Sequence, residues 1–187
     1  MSVVSRARKD KNISFNLTHS SAFVALVITE GDHPVGVDIE TIKPRKNFTG
    51  LFNRSFTPNE TKWILNSPNI HSPITKNHLL NHEEMVRFFL LWSAKEAYLK
   101  ADGRGFQGLD SLVLFPEKER MLGDLHDGVM LLTTLSHLSD LIHSSFAIYL
   151  PHLLKEHLST TQLSFDVDPI MPIPLNLHWQ LCLYDQK

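Results

Sequence analysis

Asp38, Glu40, Glu96 and Lys100 are the residues of this sequence whose types and spacing best suit chemistry. The run LLWSAKEAYLK, Leu90 to Lys100, reads as helix and is apolar on nearly every side, yet it holds Lys95, Glu96 and Lys100. At about 100° per residue, Ser93, Glu96 and Lys100 share one arc, while Lys95 points roughly 100° from Glu96, toward another neighbour or solvent. A Glu–Lys pair four residues apart on a solvated face contributes only about 0.2–0.5 kcal/mol. Here Met85, Val86, Phe88, Phe89, Leu91, Ala94, Ala97, Tyr98 and Leu99 leave little room for such a face. An ionised carboxylate in that setting needs a partner charge or a metal, because stranding it costs several kcal/mol. In VGVDIE, Val35 to Glu40, a period of two sets Val35, Val37 and Ile39 on one side and Gly36, Asp38 and Glu40 on the other. A half-exposed strand explains that alternation. A hard-cation site explains it too, since Mg²⁺ takes oxygen ligands from one or two carboxylates, water and substrate phosphates. If Glu96 faces the same place, three carboxylates supply the acidic side and Lys100 a cation for phosphate.

The elements that must position these groups are legible nearby. Ala22 to Thr29 is a β-branched apolar run, Glu30 to Pro34 a turn, and Val35 to Glu40 a second strand, together the pattern of a hairpin. Thr57-Pro58-Asn59-Glu60 predicts a helix start with Thr57 as N-cap and Glu60 closing a capping box. Ahead of it, Arg45, Lys46 and Arg54 alternate with Phe48, Leu51, Phe52 and Phe56, which suits either a core anchor or a docking surface for an acidic partner. Gly103-Arg104-Gly105 ends the long helix, and Arg104 faces the phosphate site or nothing. Leu109–Phe115, Val129–Leu135, Ser145–Leu150, Thr161–Val167 and Trp179–Tyr184 read as further strands, and Asn66–Asn81 and Pro169–Asn176 as loops. Strands and helices in separate blocks predict an α+β fold, an antiparallel sheet packed against a long apolar helix.

The 187 residues are 42% hydrophobic, enough for one domain with a core. With 18 Lys and Arg against 20 Asp and Glu, no basic surface is available for general nucleic-acid binding. Cys182 stands alone, which points to a reducing, cytoplasmic compartment, and no apolar run approaches a membrane span. His78 and His82 have the spacing of paired helix ligands, but no third ligand is suggested beyond the adjacent Glu83 and Glu84, and solvated histidines are the favoured reading.

FNLTHS (Phe15–Ser20), VGVDIETIKPR (Val35–Arg45), RSFTPNE (Arg54–Glu60) and LWSAKEAYLKADGRG (Leu91–Gly105) occur in that order, and the chain thereby resembles the 4'-phosphopantetheinyl transferases of the surfactin-synthetase-activating type, including the short bacterial holo-carrier-protein synthases. The resemblance implies transfer of phosphopantetheine from coenzyme A to a serine of an apo acyl or peptidyl carrier protein, with release of adenosine 3',5'-bisphosphate. It implies Mg²⁺ at Asp38, Glu40 and Glu96, with Glu96 as candidate base and Lys100 on a phosphate. It implies Thr18, His19, Lys43 and Arg104 at the coenzyme, and carrier-protein docking over Arg45, Lys46, Phe48, Leu51, Phe52 and Arg54. Residues 1–14 would be a basic arm, 15–115 the motif-bearing core and 116–187 a strand-rich extension. Members usually carry a whole pseudo-repeat before the first motif, which this chain reaches at Phe15. A shortened chain, assembly as a homo-oligomer and weakened coenzyme binding are each compatible with that. The competing classes are a non-catalytic relative that binds a carrier protein or coenzyme A, and a metal-dependent phosphoester hydrolase.

Overall fold

The computed structural model describes residues 12–21, 23–44, 48–67, 79–125, 127–136, 143–151 and 181–185. Strands β1 (Ile13–Ser20) and β2 (Phe23–Glu30) fold back on each other as an antiparallel hairpin. Ser21, in the turn between them, has φ 53°, the left-handed backbone that tight hairpin turns demand. This corrects the pairing expected from the sequence, where β2 was matched with the VGVDIE strand. That strand, β3 (Gly36–Thr41), is the edge of a separate six-stranded sheet and pairs with β7 (His143–Pro151). Two turns compete for β2. The short turn at Ser21 gives β2 its nearer partner, and the Glu30–Pro34 segment carries the chain into the second sheet.

That sheet has the order β3-β7-β6-β8-β5-β4, with β4 Val113–Phe115, β5 Arg120–Leu122, β6 Gly128–Ser136 and β8 Leu181–Asp185. Its pairs are antiparallel except β5 with β8, which are parallel. The strand expected over 109–115 is a 3₁₀ turn, Gly105–Ser111, followed by the short β4. The expected strand at 161–167, the loop at 169–176 and most of the loop at 66–81 lie outside the described residues.

Helix α1 spans Phe48–Ser55, α2 Pro58–Ile64 and α3 His82–Asp102. The Thr57–Glu60 capping box is present, with the Thr57 amide donating to Glu60 Oε2 at 2.7 Å. A second box, Asn81 with Glu84, opens α3, and Gly103 at φ 76° closes it. Side chains on the two faces of the large sheet fill two cores. One packs Met130, Leu132, Ala147, Tyr149 and Leu183 against α3 and the three phenylalanines of the 48–56 segment. The other gathers Val37, Ile39, Val129, Leu131, Phe146 and Ile148 under Ala25, Phe23 and Val27 of the hairpin. Helix α3 lies directly on β3 because Gly36 has no side chain; a Cβ there would collide with the Ala97 carbonyl.

Candidate active site

Three elements meet at Asp38. Strand β3 supplies the carboxylate, which is 4% exposed. From α3, Lys100 Nζ donates to Asp38 Oδ1 at 2.7 Å and to the Val37 carbonyl at 3.2 Å. From β1, Thr18 donates its hydroxyl to Asp38 Oδ1 at 3.2 Å and accepts from Lys100 at 2.9 Å. All three ammonium protons of Lys100 are therefore used. Burial pushes the Asp38 carboxyl up from its usual 3.8; the Lys100 charge and hydrogen bond oppose the rise, and nearby Glu40 adds to it. Asp38 Oδ2 is buried and has no hydrogen-bond partner among the described residues.

Alternation in β1 explains its place. Ser14, Asn16, Thr18 and Ser20 face β3, whose free edge needs acceptors for its amides. Ser14 Oγ accepts from the His33 amide at 3.0 Å, Asn16 Oδ1 from Val37 at 3.3 Å and Ser20 Oγ from Thr41 at 3.1 Å. Ser20 also donates to Glu40 Oε2 at 3.4 Å. Across α3, the Ser93 hydroxyl lies 2.7 Å from that of Ser145, which stands opposite Glu40 in the sheet. Glu96 is half-buried one turn beyond Ser93 and one turn before Lys100, so it sits on the stretch of helix that spans Glu40 to Asp38.

The structure thus brings Thr18, Asp38 and Lys100 into contact, with Glu40 beside them and Glu96 on the adjoining helix face. Among the described residues, no three His, Cys, Asp or Glu side chains already form a group that could hold a metal ion. Other expected site residues stand elsewhere. His19 is exposed on the outer face of β1, and Lys43 is exposed after β3. Arg104 is not brought to Lys100: its guanidinium pairs with Asp102, with Asp124 at 2.7 Å and with Ser111 at 2.9 Å. Phe52 is fully buried, so its expected contact with a carrier protein is corrected to that of an anchor. Phe48 and Leu51 are half-buried against the same core, and the Phe48 ring centroid is 4.2 Å from that of Phe88. Arg54 is exposed, while Arg45, Lys46 and His78 lie outside the described residues.

Sequence reasoning missed one charged pair. Lys95 does not reach solvent: Nζ is 3.1 Å from Glu60 Oε2, and the two side chains are 2% and 0% exposed. Lys95 also donates to the Leu112 carbonyl at 3.2 Å and sits 5.5 Å from the centre of the Phe56 ring. Glu60 Oε1 accepts from the Leu114 amide at 2.8 Å, so one ion pair ties α2, α3 and β4 together. The helical arc that sends Lys95 away from Glu96 was the available signal.

A family model for the 4'-phosphopantetheinyl transferase superfamily matches residues 34–131, just over half of the chain. The chain belongs to that superfamily. Among curated proteins it is 34% identical over 105 residues to the 4'-phosphopantetheinyl transferase psf-1 of Bacillus pumilus, covering 56% of this chain and 38% of that protein. It is 29% identical over 103 residues to the 4'-phosphopantetheinyl transferase HetI of a Nostoc species, covering 55% and 38%. The 4'-phosphopantetheinyl transferase AcpT of Escherichia coli is 35% identical over 89 residues, 48% of this chain and 39% of the relative. The chain spans less than half the length of these relatives. No helix among the described residues is long and apolar enough to cross a membrane.

Proposed function

We propose that this chain transfers 4'-phosphopantetheine from coenzyme A to a serine of an apo carrier protein. The observation that carries the reading is the Asp38–Lys100 contact at 2.7 Å, which joins the two motifs across 62 residues of sequence. In the proposed step the serine oxygen attacks the phosphorus that bears pantetheine. The bond from that phosphorus to the bridging diphosphate oxygen breaks, the serine proton passes to Glu96, and adenosine 3',5'-bisphosphate leaves.

The donor set suits Mg²⁺. It is all oxygen, it lies beside a lysine, and it includes a buried carboxylate oxygen with no hydrogen-bond partner among the described residues. Asp38 and Glu40 would hold the ion together with Glu96, and when bound it would neutralise charge on the diphosphate. Lys100 is the cation that orients a phosphate oxygen, and it must then leave at least one of its three present acceptors. Thr18 keeps the lysine and Asp38 in register. Arg54 and Lys43, both exposed, with Arg45 and Lys46, steer an acidic carrier protein toward α1.

The test is intact-mass analysis of an apo acyl carrier protein incubated with the full chain, coenzyme A and Mg²⁺, with and without EDTA. A metal-dependent gain of one phosphopantetheine, lost in Glu96→Gln with an unchanged thermal midpoint, is the expected result. Absence of any gain across several apo carrier proteins, with coenzyme A still bound, would leave a non-catalytic relative. Free phosphopantetheine without an acceptor would instead indicate a hydrolase.

A further inference from the structure

Helix α2 presents two stripes. Glu60 and Ile64 enter the core and are fully buried. Asn59, Lys62, Trp63 and Asn66 recur at the spacing of one helix face, the last of them just past the helix end with φ 49°. That second stripe lines one wall of a cavity of about 360 Å³, and Phe115, Pro116, Glu117 and Lys118, running on from β4, line the other. The volume lies within the roughly 300–1,000 Å³ of small-molecule pockets. Both walls are tied from behind. Glu60 Oε1 accepts from the Leu114 amide at 2.8 Å while Oε2 pairs with Lys95 at 3.1 Å, so α2 and β4 keep a fixed spacing and the cavity is pre-formed. The cavity also stands apart from the Asp38 site. Strands β3 and β4 are opposite edges of the six-stranded sheet, which at about 4.8 Å per step sets them roughly 24 Å apart along it.

The lining is apolar surface with a few polar groups converging on it. Trp63 and Phe115 are half-buried and Pro116 is buried. Lys62 and Lys118 against Glu117 leave one positive charge in excess, and among the described residues none of the three forms an ion pair. The side chains of Asn59 and Asn66 have no hydrogen-bond partner among the described residues either. We propose that this cavity binds a small anion with a flat apolar body, in chemical class an aromatic carboxylate. Trp63 and Phe115 cover the ring, Lys62 and Lys118 hold the charge, and Asn59 and Asn66 donate hydrogen bonds. Charge and shape together decide the class. A cation meets net repulsion, a wholly apolar molecule desolvates the ammonium groups without a counter-charge, and a bare inorganic anion leaves the rings uncovered. The inference does not rest on the transferase reading.

The test is titration of 1-naphthoate into the ¹⁵N-labelled full chain, following the Trp63 indole N–H, which is assigned by its loss in Trp63→Phe. A saturable shift is expected, with a dissociation constant of about 1 mM from the usual efficiency of a ligand this size. The neutral isostere 1-naphthamide should bind about tenfold more weakly, and Lys62→Gln and Lys118→Gln should each weaken naphthoate about threefold to tenfold. Asn59→Asp, at an exposed position, adds a repelling charge and should weaken it as well if a lysine variant fails to fold. No saturable Trp63 shift by about 10 mM, an order above the expected constant, overturns the site, wherever else in the chain signals move. Equal binding of the amide, or parent affinity in every folded variant, overturns the assignment of an anion.

Discussion

Replacing Lys95 with Met removes an ammonium that sits 3.1 Å from a fully buried Glu60. The carboxylate keeps two backbone donors, Thr57 at 2.7 Å and Leu114 at 2.8 Å, but loses its counter-charge. Breaking a buried pair from one side costs about 3–5 kcal/mol, because the surviving charge stays out of water. At roughly 2–4 °C per kcal/mol for a chain of this size, the thermal midpoint should fall by about 6–20 °C. Glu60→Gln should cost a similar amount by stranding Lys95. The double variant buries no charge and should lie within about 2 kcal/mol of the parent. Urea unfolding of the four proteins, followed by tryptophan fluorescence, gives the coupling energy of the cycle, expected at about 3 kcal/mol or more. A coupling below about 0.5 kcal/mol, with the single losses simply adding, would refute the claim that the two charges hold α2, α3 and β4 as a pair.

The packing of α3 on β3 makes Gly36→Ala a sharp test: its methyl would meet the Ala97 carbonyl, so a loss of about 2–4 kcal/mol in urea unfolding is expected, and a change within about 0.5 kcal/mol would mean the helix does not lie against the strand. For Asp38, burial raises the folded pKa above the ordinary 3.8, so the folded chain holds this proton more tightly than the unfolded one and stability from this group falls as pH rises through that window. The stability of Asp38→Asn relative to the parent should therefore increase as pH rises from the ordinary 3.8 toward neutrality; a flat or declining difference in pH-dependent urea unfolding would contradict it.

Local signals were legible in the sequence and long-range ones were not. The Thr57–Glu60 cap and the Gly103 stop each depend on a few neighbouring residues, and both stand in the structure. The VGVDIE alternation put Asp38 and Glu40 on one strand face and the helical arc put Glu96 and Lys100 together, while the meeting of the two is seen only in the Asp38–Lys100 contact. Which strand β2 pairs with depends on the competing turn at Ser21, where no glycine or asparagine marks the positive φ. Composition around Phe48, Phe52 and Phe56 suited an anchor, the resemblance favoured docking, and the burial of Phe52 decides for the anchor there. Arg104, set between glycines, carries no sequence constraint on its direction, and two carboxylates decide it. Lys95 and Glu60 are 35 positions apart, and neither local pattern names the other.

The seam between β1 and β3 is made by side chains and not by a backbone ladder. A ladder is indifferent to side-chain identity, whereas this seam does not tolerate a slip of one residue. Sliding β1 by one residue would turn Ser14, Asn16 and Ser20 away from the amides of His33, Val37 and Thr41 and offer them carbon instead. Three stranded amides would cost about 3–9 kcal/mol, comparable to the whole stability of an ordinary domain. The alternation in β1 therefore sets which face of the hairpin lies on β3. The same face that satisfies these amides carries Thr18 to Asp38, so the two requirements are met together.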